Sequence, residues 1–282
     1  MGIMLDSAVP PAAAQIEAAR AIYPDLVGWM GYVPGWGRPY IAPGSSGWNP
    51  EAVQVVLEAG LGFYPLLVPW SGDPASTPAD IPGWQVALQM ARQQVEGAGG
   101  VLAGAGLNIE AGWVAAAAAA AGWRQKVTLM KEAWGDVPNG IYGPPAWLAS
   151  LATLGSSAPS TILVGEWPDG AAAPVPQPTS PAVIPGIPND EWIGPGQRAW
   201  QFQGGHSLGD TGLAVDVSVV DDAFPFSRLA PAPAPTPAPV PTPTPLEVLQ
   251  ATLGQIQALV QDAIAQQLAD LITQAIAQSK EL

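Results

Sequence analysis

The chain contains no cysteine, which excludes a disulfide framework, a thiolate zinc site and a cysteine nucleophile. Its single histidine, His206, excludes multi-histidine metal sites and makes any Ser-His-Asp triad depend on one residue of the Gly-rich segment GGHSLGD, which reads as a loop. Cations are scarce: 9 Lys and Arg stand against 23 Asp and Glu, a formal net charge of −14. No basic run occurs anywhere, so a phosphate-tracking surface for nucleic acid is excluded. No apolar run reaches the ~18 residues of a membrane span, so no membrane insertion is expected. MGIMLDSAVP at the start has no basic segment ahead of its apolar residues and reads as a core strand, not a signal peptide.

Glycine and proline are abundant instead, at 32 and 33 of 282 residues, a composition that alone would suggest disorder. Against that, 48% of the residues are hydrophobic and all 12 tryptophans precede Ala230, so residues 1–229 can build a large single core. Apolar runs of strand length, bounded by Gly or Pro, recur there: Gly2 to Leu5, Val27 to Val33, Leu61 to Val68, Val101 to Ile109, Gly140 to Tyr142, Thr161 to Gly165, Ala199 to Phe202 and Leu213 to Val217. Helical stretches lie between them, from Pro10 to Ile22, from the Asn49-Pro50-Glu51 start signal to Gly60, from Trp84 to Glu96 and from Trp113 to Trp134. Eight continuous hydrophobic runs alternating with helices predict a (β/α)8 TIM-like barrel over residues 1–229, interrupted by a long Pro-rich loop from Trp167 to Pro195.

Residues 230–245 form a Pro/Ala/Thr linker with the character of a polyproline-II stalk. From 246 to 282 the apolar residues Leu246, Leu249, Leu253, Ile256, Val260, Ile264, Leu268, Leu271 and Ala275 recur about every 3.6 residues, one face of a single amphipathic helix opposite a glutamine-rich face. A lone helix on a stalk has no domain on which to bury that stripe. Self-association in a parallel bundle, as a trimer in preference to a dimer, is expected, with folding back onto the barrel or docking on another protein as the alternatives.

Strand ends of such a barrel face its pocket, and reading them gives Asp6, Glu110, Tyr142, Glu166, Gln201, Gln203 and Asp216. Acid-catalysed glycoside cleavage needs one carboxylic acid to protonate the leaving oxygen and a second carboxylate, or the substrate's own acetamido group, to stabilise the cationic carbon. Trp70, Trp113 and Trp167 lie beside those ends, and Trp36 follows the second strand; indole faces suit the C–H faces of sugar rings. Structural readings compete, since strand-end acids also hold loop amides and tryptophan also fills cores. The glycines of GAGGVLAGAG, Gly97 to Gly106, interrupt a strand without opening a helix and so make no dinucleotide cradle. No cofactor and no metal are expected.

IMLDSA, GLNIEAG, NGIYGPPAW, LVGEWPD, RAWQFQ and AVDVSVVDD, in that order, resemble the strand-end series of the family 25 lysozyme superfamily, closest to its glycoside-hydrolase-like branch of secreted actinobacterial and phage tail proteins. The resemblance covers residues 1–229. It implies Glu110 as general acid and Asp6, Glu166 and Asp216 as further catalytic pocket acids, with Asn108 standing where the lysozymes carry an acid; the amide can hold a substrate but supplies no negative charge to an oxocarbenium-like transition state. Binding of host cell-wall carbohydrate, with hydrolysis left open, is the expected activity. A phage tail or virion surface protein that associates with other virion proteins and becomes extracellular by lysis fits this barrel, stalk and helix. An active cell-wall hydrolase and a non-catalytic cytosolic barrel are the alternatives.

Overall fold

The computed structural model describes residues 1–37, 47–69, 74–109, 117–144, 148, 151–165, 198–231 and 245–279. The chain divides into two compact units, Met1–Pro231 and Ala232–Leu282. The first begins with β1 (Gly2–Asp6), α1 (Ala13–Ile22), β2 (Leu26–Gly37), α2 (Pro50–Glu58), β3 (Gly62–Val68) and α3 (Ile81–Gly97). It continues through β4 (Gly100–Val101), β5 (Ala105–Asn108), α4 (Ala117–Trp134), β6 (Asn139–Gly143) and β7 (Thr161–Gly165) to β8 (Arg198–Ser207), β9 (Ala214–Val220) and β10 (Arg228–Leu229). The second contains α5 (Pro245–Ser279). No helix of the described residues is long and apolar enough to cross a membrane.

Among the described residues eight strands close into a barrel in the order β1-β2-β3-β5-β6-β7-β8-β9. Neighbours from β1 to β8 are parallel, but β9 is antiparallel to both β8 and β1. The expectation of a regular (β/α)8 barrel is corrected accordingly: the molecule is a mixed α/β closed barrel whose last strand returns as a hairpin. The segment 208–213 between β8 and β9 is too short for the crossover that a parallel neighbour requires, so reversal is the geometry available. Helices follow β1, β2, β3 and β5, whereas a 3-10 segment, Ala152–Ser157, precedes β7.

Two strand expectations also shift. The run from Val101 to Ile109 divides into β4, which pairs with β10 outside the barrel, and β5 within it. At Gly104, between them, a Cβ would lie 3.0 Å from Pro225 and 3.2 Å from the Pro138 carbonyl oxygen, so the backbone itself is packed there. The seventh run extends to Ser207, placing His206 on a strand instead of a loop, because Val215 of β9 pairs with it. The loop expected from Trp167 to Pro195 lies outside the described residues.

Helix starts follow their caps. Asn49 Oδ1 accepts from the Ala52 N–H at 2.9 Å ahead of Pro50 in α2, and Asp80 Oδ1 accepts from the Gly83 N–H at 2.9 Å at the start of α3. The helices pack on the barrel's outer face through Trp29, Trp48, Val53 and Val56 on one side and Trp84, Trp123, Trp134 and Ile141 on the other. Inside the barrel Met4, Met30, Tyr64, Leu66, Tyr142, Leu163 and Ala199 form a separate cluster with Phe224 and Phe226.

Glycine sets the shape of that interior. Gly28 and Gly62 are register partners on β2 and β3, and a Cβ on either would lie 2.3 Å from Phe226. Gly106 and Gly140 are register partners on β5 and β6, where a Cβ would meet Tyr64 at 2.9 Å and 2.2 Å respectively. Each pair of absent side chains thus makes a flat seat for one aromatic ring. Tyr64 packs in turn against Phe224 with the ring planes tilted by 56° and the centroids 4.9 Å apart, and Phe224 lies at the same separation from Phe226. Burial pushes the Tyr64 hydroxyl far above the usual tyrosine range.

Phe224 and Phe226 belong to a strap that closes the end of the barrel where the parallel strands begin. Ser227 and Phe63 exchange backbone hydrogen bonds of 2.9 and 2.8 Å, Ser227 Oγ accepts from the Ala103 N–H at 3.3 Å, and β10 pairs with β4. The strap ends at Pro231, where the first unit ends.

The seat for Tyr64 generates a test. Gly140→Ala is expected to cost about 1–3 kcal/mol by overpacking, and a large part of that cost should disappear when Tyr64→Phe is added, since the hydroxyl is the nearest atom to the new methyl. Urea denaturation of both single variants and the double variant measures the coupling; additive costs would show that Tyr64 moves aside freely.

Candidate functional site

The end of the barrel opposite the strap is polar. Asp6 ends β1, Asn108 ends β5, Tyr142 lies near the end of β6, and Gln201 and Gln203 lie along β8; all five are buried. Asp216, half-buried, joins them from β9 and is the direct register partner of Asp6. Residues directly opposed in an antiparallel pair project to the same face, so the two carboxylates share the interior side of the mouth. Asp216 was expected at the C-terminal end of a parallel strand. It stands near the N-terminal end of a reversed one, and the reversal is what brings it to the mouth.

A chain of hydrogen bonds fixes one side of this layer. The Tyr142 hydroxyl donates to Gln201 Oε1 at 2.5 Å, Gln201 Nε2 donates to Asp216 Oδ2 at 3.1 Å, and the Gly205 N–H donates to Asp216 Oδ1 at 2.6 Å. A Cβ on Gly165 would come within 2.7 Å of the Tyr142 hydroxyl, so the absence of a side chain at the end of β7 sets where that phenol lies. Gln201 is the register partner of Gly165, and Tyr142 of β6 therefore reaches over Gly165 of β7 to bond β8. Burial pushes the Asp216 carboxyl above the usual carboxylate range, opposed by the hydrogen bonds from Gly205 and Gln201. Gln203 Nε2 lies 3.3 Å from His206 Nδ1, and the His206 ring meets Tyr23 edge-on at 6.2 Å.

The Asp6 side is held from behind. The Trp29 indole N–H donates to Ser7 Oγ at 2.9 Å, that hydroxyl donates to the Val9 carbonyl at 2.7 Å, and the Trp48 indole N–H donates to the Ser7 carbonyl at 3.0 Å. Gln94 of α3 donates to the carbonyls of Trp48 and Tyr32, at 2.6 and 2.9 Å. Two indoles thus fix Ser7, immediately after Asp6, through its hydroxyl and its carbonyl, and the Gln94 amide holds the backbone of Trp48 in turn, in buried surroundings where each bond is stronger than in water. Sequence reasoning missed this clamp; its visible signal is the Trp48 that precedes the Asn49-Pro50 helix start.

Of the residues expected at the site, Asp6, Asn108, Tyr142, Gln201, Gln203 and Asp216 come together at one end of the barrel. Glu110, Glu166, Trp70, Trp113 and Trp167 lie outside the described residues. Trp36 is on β2. Among the described residues no group of three or more His, Asp or Glu side chains could hold a metal ion. The gathered groups offer carboxylate and amide acceptors, amide donors and a phenol, a set suited to hydroxyl and amide groups of a neutral polar ligand.

No family model and no curated protein matches the chain. Among solved structures it is similar to the Tat-secreted protein Rv2525c of Mycobacterium tuberculosis, in complex with L-tartrate, at 15% identity over 80% of this chain and 98% of that one, with a TM-score of 0.54. It is similar also to an uncharacterized B. stearothermophilus protein, at 17% identity over 80% of this chain and all of that one (100%), with a TM-score of 0.51. GHIP, a glycosyl hydrolase 25 of Streptococcus pneumoniae, is a more distant structural neighbour, at 7% identity over 78% of this chain and 87% of that one, with a TM-score of 0.47. At these identities the likeness is one of fold.

The half-buried carboxyl of Asp216 makes stability depend on pH with a defined sign. Its folded-state proton affinity exceeds the unfolded one, so its contribution is complete below the ordinary Asp value of about 3.9 and is lost as pH rises through the raised value. Asp216→Asn should therefore gain stability relative to the wild type over that rise, as read by urea unfolding at a series of pH values. A difference that does not change with pH would show a carboxyl solvated as in the unfolded chain.

Proposed function

We propose that the polar mouth of the barrel binds carbohydrate, with cell-wall glycan as the ligand class. The observation that carries this reading is the Tyr142–Gln201–Asp216 hydrogen-bond chain beside the register-paired Asp6, a fixed polar layer above an otherwise apolar barrel interior. Sugar hydroxyls both donate and accept, and they are discriminated where protein donors and acceptors are already oriented and need no further ordering. Asp6, held by the Ser7 clamp, supplies an acceptor, and Asn108, Gln201 and Gln203 supply amides to a hydroxyl or an acetamido group.

Hydrolysis is the second reading. It is favoured by the raised proton affinity of Asp216, since a carboxyl that keeps its proton above the usual range can serve as an acid, while its register partner Asp6 supplies a second carboxyl on the same face. Glu110 remains the general acid that the family 25 resemblance implies. In the wider setting the protein is read as a phage tail or virion surface component whose barrel contacts the host cell wall. The acidic composition, the Pro-rich stalk and the terminal helix support that setting.

Calorimetric titration with purified cell-wall glycan fragments tests the binding, and a reducing-end assay on the same fragments tests turnover. Asp6→Ala and Gln201→Ala are each expected to weaken binding by about tenfold, near 1.4 kcal/mol, with the barrel's thermal transition retained. Absence of binding to every fragment would remove the carbohydrate reading. Binding without release of reducing ends would remove the hydrolytic one.

A further inference from the structure

We propose that α5 is a self-association element whose apolar face is covered by the same face of further copies of this chain. Leu246, Leu249, Leu253, Ile256, Val260, Ile264 and Leu268 recur along α5, each between 51% and 66% exposed, with Leu259 and Ile272 exposed to a similar degree. The stripe from 246 to 275 extends about 44 Å at 1.5 Å per residue, the length of a long coiled-coil segment rather than of a single contact.

Charge identifies the occupant. The described helix has no Lys or Arg and only three acids, Glu247, Asp262 and Asp270. Asp262, the one charged residue between Leu249 and Leu268, stands two positions beyond Val260, about 200° around the helix, while Glu247 and Asp270 lie near the two ends of the stripe, where Asp270 Oδ1 accepts from Gln266 Nε2. From Leu249 to Leu268 identical copies can therefore meet stripe to stripe without bringing like charges together. Gln257, four residues after Leu253, and Gln267, three after Ile264, fall on the stripe itself, and their amides both donate and accept and so complement themselves between copies. An anionic lipid surface would call for basic residues along the polar face, and a charged protein partner would call for a matching charge beside the stripe. Neither is present on the described helix.

The spacing also describes the bundle. Steps of 3 and 4 alternate from Leu246 to Val260, but the steps to Ile264 and Leu268 are both 4 before the 3 and 4 that reach Leu271 and Ala275. An average near 3.6 in place of 3.5 keeps the stripe almost parallel to the axis, so the copies pack as nearly straight helices with little left-handed supercoil.

Light scattering on the full chain, and on a full-length variant carrying Leu253→Asp and Val260→Asp, tests this. The wild type should give a mass of at least twice 28.9 kDa and the variant 28.9 kDa, with the barrel's thermal transition the same in both. A wild type that stays at 28.9 kDa at all concentrations would overturn the proposal. So would a variant that keeps the wild-type mass, which would locate the contact on the barrel, or a monomeric wild type that co-sediments with phosphatidylcholine vesicles, which would make the face a lipid anchor.

Discussion

The barrel depends on the omission of side chains at paired positions. Where Gly28 faces Gly62 and Gly106 faces Gly140, the walls recede on two adjacent strands at once, and one aromatic ring enters each recess. A cavity of that size would otherwise cost stability through lost contacts, and a methyl at any of the four positions would collide with a ring. Tyr64 and Phe226, linked through Phe224, thus fill the lower half of the barrel, and little interior is left for a ligand except above them. Gly165 repeats the device higher up, where the ring seated against it, Tyr142, has a hydroxyl that reaches a polar neighbour. The same physical rule fills the closed end with carbon and sets the first polar contact of the open end.

The open end then depends on chain direction. In a uniformly parallel barrel the eighth strand would carry Asp216 away from the other strand ends, or bring a different residue to the mouth. Because β9 runs back beside both β8 and β1, its early residues meet the late residues of the parallel strands, and Asp216 lands beside Asp6. The β8–β9 hairpin also supplies the Gly205 N–H that holds one oxygen of Asp216. Direction, register and hydrogen bonding therefore act on one carboxylate together.

Much of the barrel was legible because strands buried on both faces leave continuous apolar runs, as Leu61 to Val68 and Thr161 to Gly165 do, and because Asn49-Pro50 marks a helix start plainly. Strand polarity was not legible in Leu213 to Val217, since a hydrophobic run reads the same for either direction. Glycines such as Gly106 and Gly140 looked like interruptions of strands, and their pairing with rings from elsewhere in the chain becomes visible only once register is known. At the mouth, strand-end position was enough to single out Asp6, Tyr142 and Gln201, whereas Asn108 came only from the family resemblance. Of the Ser7–Trp29–Trp48 clamp only Trp48, ahead of the Asn49-Pro50 helix start, was visible, because an indole N–H declares no partner in sequence.

The strap at the closed end sets the order in which the first unit comes apart from its C-terminal side. Any tension transmitted from the C-terminal side enters the first unit at Pro231, next to β10, whose ladder with β4 is two residues long. Such a ladder yields bond by bond when it is peeled. The Phe63–Ser227 bridge and the ring of Phe226, locked above Gly28 and Gly62, come next in line and must be drawn out from under the barrel together. Peeled from Pro231, the two-residue ladder parts before the buried ring does, so loss of β10 pairing leaves Phe226 seated against Gly28 and Gly62.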